Sequence, residues 1–232
     1  MTLDHPNIPN AFIPKMEILP LAQQRLWQHL KPARSLRLVL YGGTAIALQL
    51  GHRTSIDFDF FSDQPLDRSQ LSKVFSFFNN STMLQDQPNC ITLLVRSQNS
   101  EDTVKVSFFG GLDFGRVENP LNTDDGMLQV ASLDDLMAHK LKVILQRSEA
   151  KDYLDIAAMI QAGVSLEKGL SSAQTLYGPT FQPSESLKAC VYFNDGDLAS
   201  LSKSTKDLLV RAVAKVQNLP SIPIASRYLY LE

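Results

Sequence analysis

The chain has 232 residues, with 22 Lys+Arg against 24 Asp+Glu, a formal net charge of −2, 44% hydrophobic residues and 20% charged residues. These proportions are those of a globular protein and exclude disorder, collagen-like repetition or a coiled coil as a global description. The near-neutral balance excludes nucleic-acid binding through bulk positive charge but leaves room for a local basic patch. Cys90 and Cys190 form no Cys-x-x-Cys pair and no disulfide framework, which predicts a reducing, cytoplasmic setting. Residues 1–6 lack a signal-peptide pattern, and the chain has no run of about 18 apolar residues, so no membrane span is expected.

In chain order, residues 1–34 read as a proline-rich N-terminal extension with one short helix. That helix runs from Leu21 to Leu30, is apolar at 22, 26, 27 and 30, and docks on the core through Trp27. Leu36 to Tyr41 reads as a buried strand running into the Gly42-Gly43 turn. Thr44 to Leu50 follows as a short helix stopped by Gly51. Ser55 to Phe61 alternates polar and apolar residues, which predicts a strand. A helix is expected over 68–78, then strands over 91–95 and 103–109, joined as a hairpin through the polar turn 97–102. Ser132-Leu133-Asp134-Asp135 resembles a capping box and opens a helix with apolar positions from 133 to 145. Further helices are expected over 152–162, from Ser165, and over 206–216. The division this predicts is an α/β core over 35–112 and a helical C-terminal region over 113–232 packed on it, an α+β class.

The most informative stretch is Gly42-Gly43-Thr44, twelve residues, then Asp57-Phe58-Asp59. On a strand, residues i and i+2 share a face, so Asp57 and Asp59 project side by side with Ile56, Phe58 and Phe60 opposite. Adjacent carboxylates repel unless a cation lies between them, and Mg²⁺ takes hard oxygen ligands while keeping places for water and phosphates. A Gly-Gly turn opening a helix offers free backbone N–H groups and the positive helix end to a phosphate, and Thr44 adds a hydroxyl. The combination describes a metal–nucleoside triphosphate site. Each half alone would describe only a solvated edge strand and a turn.

The run from Tyr41 through Gly42-Gly43-Thr44-Ala45, Gly51-His52-Arg53-Thr54-Ser55 and Asp57-Phe58-Asp59 to Phe61 resembles the signature of the AbiEii/AbiGii toxin family, nucleotidyltransferase-fold relatives of DNA polymerase β. His139-Lys140-Leu141, Arg147 and Lys151-Asp152-Tyr153-Leu154-Asp155 resemble its downstream motif, so the likeness covers about 35–165. The resemblance implies a polymerase-β-like mixed sheet with flanking helices. It implies that Asp57 and Asp59 hold Mg²⁺, or Mn²⁺ in its place, and that a nucleoside monophosphate passes from an NTP to an acceptor. It further implies that Lys140 contacts the triphosphate and that Asp152 or Asp155 completes the catalytic site. Gly42, Gly43, Thr44, Arg53, Ser55, Lys140, Arg147 and Lys151 are the nucleotide-binding candidates. Family members are typically the toxin of a bacterial toxin–antitoxin or abortive-infection pair, so a cognate antitoxin and an RNA, tRNA or protein acceptor are the expected partners.

Helix geometry adds an independent reading. At 100° per residue, a helix continued from Leu136 would set Lys140, Arg147 and Lys151 in one stripe on the edge of its apolar face, with Lys142 on the other side, at the surface. Inward-facing cations need anions. The candidates are Asp57 and Asp59, a bound triphosphate, or Asp152 and Asp155, and for Arg147 and Lys151 an internal salt bridge explains the residues as well as a phosphate does.

Two departures from the family pattern stand out. Two-metal nucleotidyltransferases carry a third carboxylate on the neighbouring strand, which here is expected at 103–109, and Ser107 stands about where that acid belongs. Gln49 occupies a position where arginine is frequent in the family. The expectation is therefore an NTP-dependent transferase, with a catalytically weak nucleotide- or RNA-binding module as the alternative.

Overall fold

A computed structural model of the chain describes residues 10–96 and 102–232. The residues read for a signal peptide and most of the turn 97–102 lie outside that description. The chain divides into two compact units, one of residues up to 113 with 119–131 and 227–232, the other of residues 114–118 and 132–226.

The first unit is built on a mixed sheet. Its strands are β1 (Ala11–Phe12), β2 (Val39–Tyr41), β3 (Asp57–Phe61), β4 (Thr82–Gln87), β5 (Cys90–Arg96), β6 (Thr103–Phe109), β7 (Leu121–Thr123) and β8 (Gln129–Val130). They lie in the order β1-β7-β8-β2-β3-β6-β5-β4. The central strand β3 runs antiparallel to β2 and parallel to β6, and β5 and β6 pair antiparallel as the hairpin reading expects. Alternation along β3 sends Phe58 and Phe60, both 0% exposed, into the core. There Phe60 stacks on Phe108 at 5.7 Å between centroids, Phe108 meets Phe75 at 5.2 Å, and Trp27 approaches Phe58 at 6.4 Å. These rings bury a large apolar area and hold β3 between its neighbours.

Three helices flank this sheet. Helix α1 (Leu21–Leu26) passes into a 3-10 turn that carries Trp27, so the expected helix to Leu30 is α-helical only in its first half. Helix α2 (Gly42–Leu50) ends at Gly51, whose φ of +67° lets its N–H reach the Ala47 carbonyl. Helix α3 (Arg68–Val74) is capped by the Asp67 carboxylate, which accepts from the N–H groups of Ser69 and Gln70 at 2.8 and 3.2 Å; the Ser69 hydroxyl, bonded at 2.7 Å, and then these N–H groups hold its pKa below the ordinary value.

Two boundaries differ from the sequence reading. The stretch 119–131 was expected in the helical region but supplies β7 and β8 to the sheet, closing a tight turn in which the Thr123 hydroxyl accepts from the N–H groups of Met127 and Leu128. Strands of two or three residues are too short to show a period. The N-terminal segment is part of the same unit, since β1 pairs with β7 and the Trp27 indole N–H donates to Asp125 at 2.7 Å. Residues 227–232 belong to it too: the Gln129 side-chain amide holds Leu231 through both its N–H and its carbonyl, at 2.9 and 2.6 Å.

The second unit is helical, with α4 (Leu133–Val143), α5 (Ala150–Gln161), α6 (Leu166–Tyr177), α7 (Pro183–Val191) and α8 (Lys203–Lys215). Ser132 caps α4 by accepting from the Asp135 N–H at 3.1 Å. Asp135 does not close the box in the usual way. Its carboxylate takes the Ser132 hydroxyl at 2.6 Å and the N–H groups of Val117 and Glu118 at 2.8 and 3.2 Å, so the cap ties residues 114–118 to the helix. Among the described residues no helix is long and apolar enough to cross a membrane.

Gly110 packs so closely that a Cβ there would lie 2.7 Å from the Gln64 carbonyl oxygen and 2.8 Å from the Leu66 nitrogen, both backbone atoms. Gly110→Ala should therefore lower stability by about 1–3 kcal/mol, the ordinary cost of overpacking, read as a reduced midpoint of urea unfolding.

Candidate active site

In the first unit the register decides the geometry. Tyr41 lies opposite Asp59 across β2 and β3, while Lys105 and Ser107 on β6 lie opposite Asp57 and Asp59. Residues paired directly across a ladder share a face, so both carboxylates, Lys105 and Ser107 are gathered on one side of the sheet. The two carboxylates are half-buried, within reach of solvent, while Phe58 between them is enclosed.

The turn before α2 lies against the second carboxylate. Gly42 has φ +74°, and a Cβ there would stand 2.7 Å from Asp59 Oδ2. Only glycine combines that backbone angle with that approach. At Gly43 a Cβ would collide with the Arg53 guanidinium and come within 3.2 Å of Ser55 Oγ. The start of α2, Arg53, Ser55 and the Asp59 carboxylate thus lie close together. Thr44 is buried: its hydroxyl bonds Ser55 Oγ at 2.9 Å and the Asp57 carbonyl. It braces the strand that carries the carboxylates, with no open face for a phosphate.

The electrostatics combine two same-face carboxylates with Lys105 at Asp57 and the Arg53 guanidinium against the glycine turn. Lys105 Nζ lies 3.0 Å from Asp57 Oδ2, both side chains partly exposed. Alternation along β6 puts Lys105 on its polar face but names no partner for it. The parallel pairing of β3 with β6 is what identifies Asp57, and that pairing has no signature in either strand alone. Ser107 is buried and accepts a long bond, 3.5 Å, from the Thr92 hydroxyl, so no acid stands beside Asp59 on β6. Among the described residues no group of three or more His, Cys, Asp or Glu side chains is arranged to hold a metal ion. Two hard carboxylate oxygens on one face suit a Mg²⁺ that keeps water and phosphate for its remaining ligands. Gln49 spans the Ala45 and Ala131 carbonyls at 3.0 and 3.1 Å, a structural bridge where the family pattern has arginine.

In the second unit the downstream motif forms a buried ion cluster. Lys140 Nζ lies 2.6 Å from Asp152 Oδ1 and 2.6 Å from Asp155 Oδ2, with side-chain exposures of 4%, 0% and 0%. Arg147 adds bonds to both oxygens of Asp152, at 2.8 and 3.2 Å. Burial would raise the Asp152 pKa, but Arg147 and Lys140 together hold it below the ordinary carboxylate value. Of the anions the sequence offered to the basic stripe, Asp152 and Asp155 are the ones bound in this unit.

The stripe itself is corrected. Helix α4 stops at Val143 and α5 starts at Ala150, so Arg147 and Lys151 do not lie on one helix with Lys140. The break depends on residues distant in sequence: Asp197 accepts the Ala150 N–H at 2.6 Å and so caps α5, and Ser148 bonds Asp195 at 2.9 Å. Arg147 reaches Asp152 from the connecting turn, and Lys151 pairs with Glu149 at 2.7 Å on the surface. Lys142, expected at the surface, is half-buried and bonds the Thr180 carbonyl.

His139, next to Lys140, shares a 3.0 Å bond with the Tyr177 hydroxyl. Burial, and then the Lys140 charge, push its pKa down to about 4. Asp135 on the same helix is pushed up to about 6 by burial, against its hydrogen bonds.

The fold of the chain is shared with a nucleotidyltransferase-like protein. An antigenic nucleotidyltransferase-like protein from Paracoccidioides brasiliensis shares the fold with a TM-score of 0.52 at 17% identity, over 91% of this chain and 96% of that one. The family model for the nucleotidyl transferase AbiEii toxin of type IV toxin–antitoxin systems matches residues 25–182, and the chain belongs to that family. The nucleotidyltransferase toxin MenT4 of Mycobacterium tuberculosis aligns at a TM-score of 0.49 and 14% identity, covering 85% of this chain and 93% of that one. An uncharacterized protein of Aquifex aeolicus (strain VF5) is 31% identical over 119 residues, 50% of this chain and 54% of that protein. The chain thus spans about half the length of the curated relative it matches.

Two outcomes test the second unit. Lys140→Ala leaves two buried carboxylates without their shared cation and should cost about 3–5 kcal/mol, whereas Lys151→Ala, at an exposed pair, should cost under about 1 kcal/mol; chemical denaturation of both variants checks the contrast. For His139, the unfolded side chain protonates near pH 6.5 and the folded one only near 4. Its contribution is present above pH 6.5 and lost as pH falls towards 4. Asp135 acts the other way, losing stability as pH rises from its unfolded value to about 6. In His139→Gln the acid-side loss between pH 7 and 4 should therefore shrink by about 2–3 kcal/mol relative to the parent, measured by denaturation across that range.

Proposed function

We propose that the chain is a Mg²⁺-dependent nucleotidyltransferase that moves a nucleoside monophosphate from an NTP to an RNA, such as a tRNA end, or to a protein hydroxyl. It acts as a toxin held in check by a cognate antitoxin. The observation that carries this reading is the approach of Gly42 to Asp59, which sets an N–H-rich helix start against a carboxylate of a same-face pair. Phosphate oxygens take the N–H groups and a cation takes the carboxylates.

In this reading Asp57 and Asp59 would hold the cation, which would supply polarisation of the triphosphate and neutralisation of charge on the leaving group. Gly42 and Gly43 receive the phosphates by backbone N–H, with Arg53 and Ser55 beside them, and Thr44 keeps Asp57 in place through its carbonyl. Lys105 pairs with Asp57 at 3.0 Å, beside where the cation would be held. The acceptor oxygen bonds the α-phosphorus as the bond to pyrophosphate breaks. In the helical unit Lys140 is held between Asp152 and Asp155, at 2.6 Å from each. Asp152 and Asp155 then position Lys140. Arg147 holds Asp152, and Lys151, paired with Glu149, is the weakest of the phosphate candidates.

Ser107 favours a second reading, binding of nucleotide with little transfer, because a buried serine beside Asp59 neither binds a second metal strongly nor takes the acceptor proton.

Asp57→Ala and Asp59→Ala should each abolish Mg²⁺-dependent NTP binding in calorimetry, and unchanged binding would remove the metal assignment. Incubation with each labelled NTP, Mg²⁺ and total RNA separates the outcomes. Label in RNA or in protein supports transfer to that acceptor, and binding without label supports the second reading.

A further inference from the structure

The first unit has a second polar cleft, on the face of the sheet opposite the carboxylates. Val104 lies one residue from Lys105 on β6 and opposite Val95 on β5, so both valines point away from Asp57 and Asp59. With Phe77 they form a buried apolar floor to an open cleft of about 600 Å³. Its rim carries Arg25 from α1, Arg96 from the end of β5, and His29, whose Nδ1 lies 3.2 Å from the Ser76 hydroxyl. Among the described residues neither guanidinium has an ion-pair partner, and no carboxylate is among the described lining residues. In a chain of net charge −2 this is a local concentration of positive charge.

Arginine forks match phosphate oxygens, often in pairs of bonds. A bare phosphate would make no use of the apolar floor. A ligand that uses both features has a flat, weakly polar body and an attached phosphate, and the cleft volume is that of an ordinary small-ligand site. We propose that this cleft is a nucleotide-binding subsite, separate from the Asp57–Asp59 site, that takes a nucleoside monophosphate with its phosphate on Arg25 and Arg96 and its base on the Phe77–Val95–Val104 floor. The nucleotide is either free or a residue of single-stranded RNA, which presents the same base and phosphate to such a surface.

The test is calorimetry on the full chain in EDTA, where no divalent cation supports the carboxylate site. AMP should bind, and should bind equally in an Asp57→Asn/Asp59→Asn variant. Arg25→Gln/Arg96→Gln should weaken AMP at least tenfold, Arg25→Lys/Arg96→Lys should fall between that variant and the parent, and Lys188→Gln should match the parent. Far-UV circular dichroism confirms the fold of each, since both arginines are exposed. Adenosine and inorganic phosphate should each bind at least tenfold more weakly than AMP. A single-stranded RNA hexamer that binds at least tenfold tighter than AMP assigns the site to RNA; one that binds no tighter assigns it to the free nucleotide, and both support the proposal. It is overturned if AMP does not bind in EDTA, if the glutamine variant binds AMP as the parent does, or if phosphate alone or a hexaglutamate peptide binds as tightly as AMP. None of these outcomes depends on Mg²⁺ or on transfer, so they stand apart from the proposed activity.

Discussion

The constraint on which the first unit depends is the seating of β3 between β2 and β6. Side chains on a strand alternate with a period of two, so a one-residue slip would exchange its faces. Here the slip would drive Asp57 and Asp59 into the ring cluster of Trp27, Phe75 and Phe108 and expose Phe58 and Phe60. Burying unpaired carboxylates is far costlier than any local gain from shifted hydrogen bonds. The aromatic core therefore enforces the register that sets both carboxylates on the open face. The same register brings Tyr41, and with it the Gly42 turn, to Asp59.

The two units treat charge in opposite ways. On the sheet, the carboxylates stay half-buried, and Lys105 pairs with Asp57 at one edge. In the helical unit, Lys140, Arg147, Asp152 and Asp155 form a cluster whose formal charges cancel. With Lys140 and both aspartates fully enclosed, such a cluster persists only because each charge is paired, and removing one member leaves another stranded. Burial, and then the Lys140 charge, also oppose protonation of the neighbouring His139.

Much of this was legible in the sequence because it rests on local period. The Asp57–Asp59 face follows from alternation alone, the helix stop at Gly51 from a left-handed cap, and the strand pair 91–95 and 103–109 from two apolar runs flanking a polar turn. Short or polar strands were not legible. Strand β4 is a mostly exposed edge, and β1, β7 and β8 hold two or three residues each, too few for a pattern.

By itself, the sequence determined which residue types occupy the carboxylate strand, the glycine turn and the Lys140–Asp155 motif, because period and spacing are properties of contiguous residues. Only the tertiary structure decided their partners. Lys105 is the cation at Asp57 because β3 and β6 run parallel, and parallel pairing joins strands far apart in the chain. Arg147 left the line of Lys140 because Asp195 and Asp197, nearly fifty residues onward, hold Ser148 and cap Ala150. Side chains distant in sequence thus hold the turn between α4 and α5, and that break divides the stripe of positive charge.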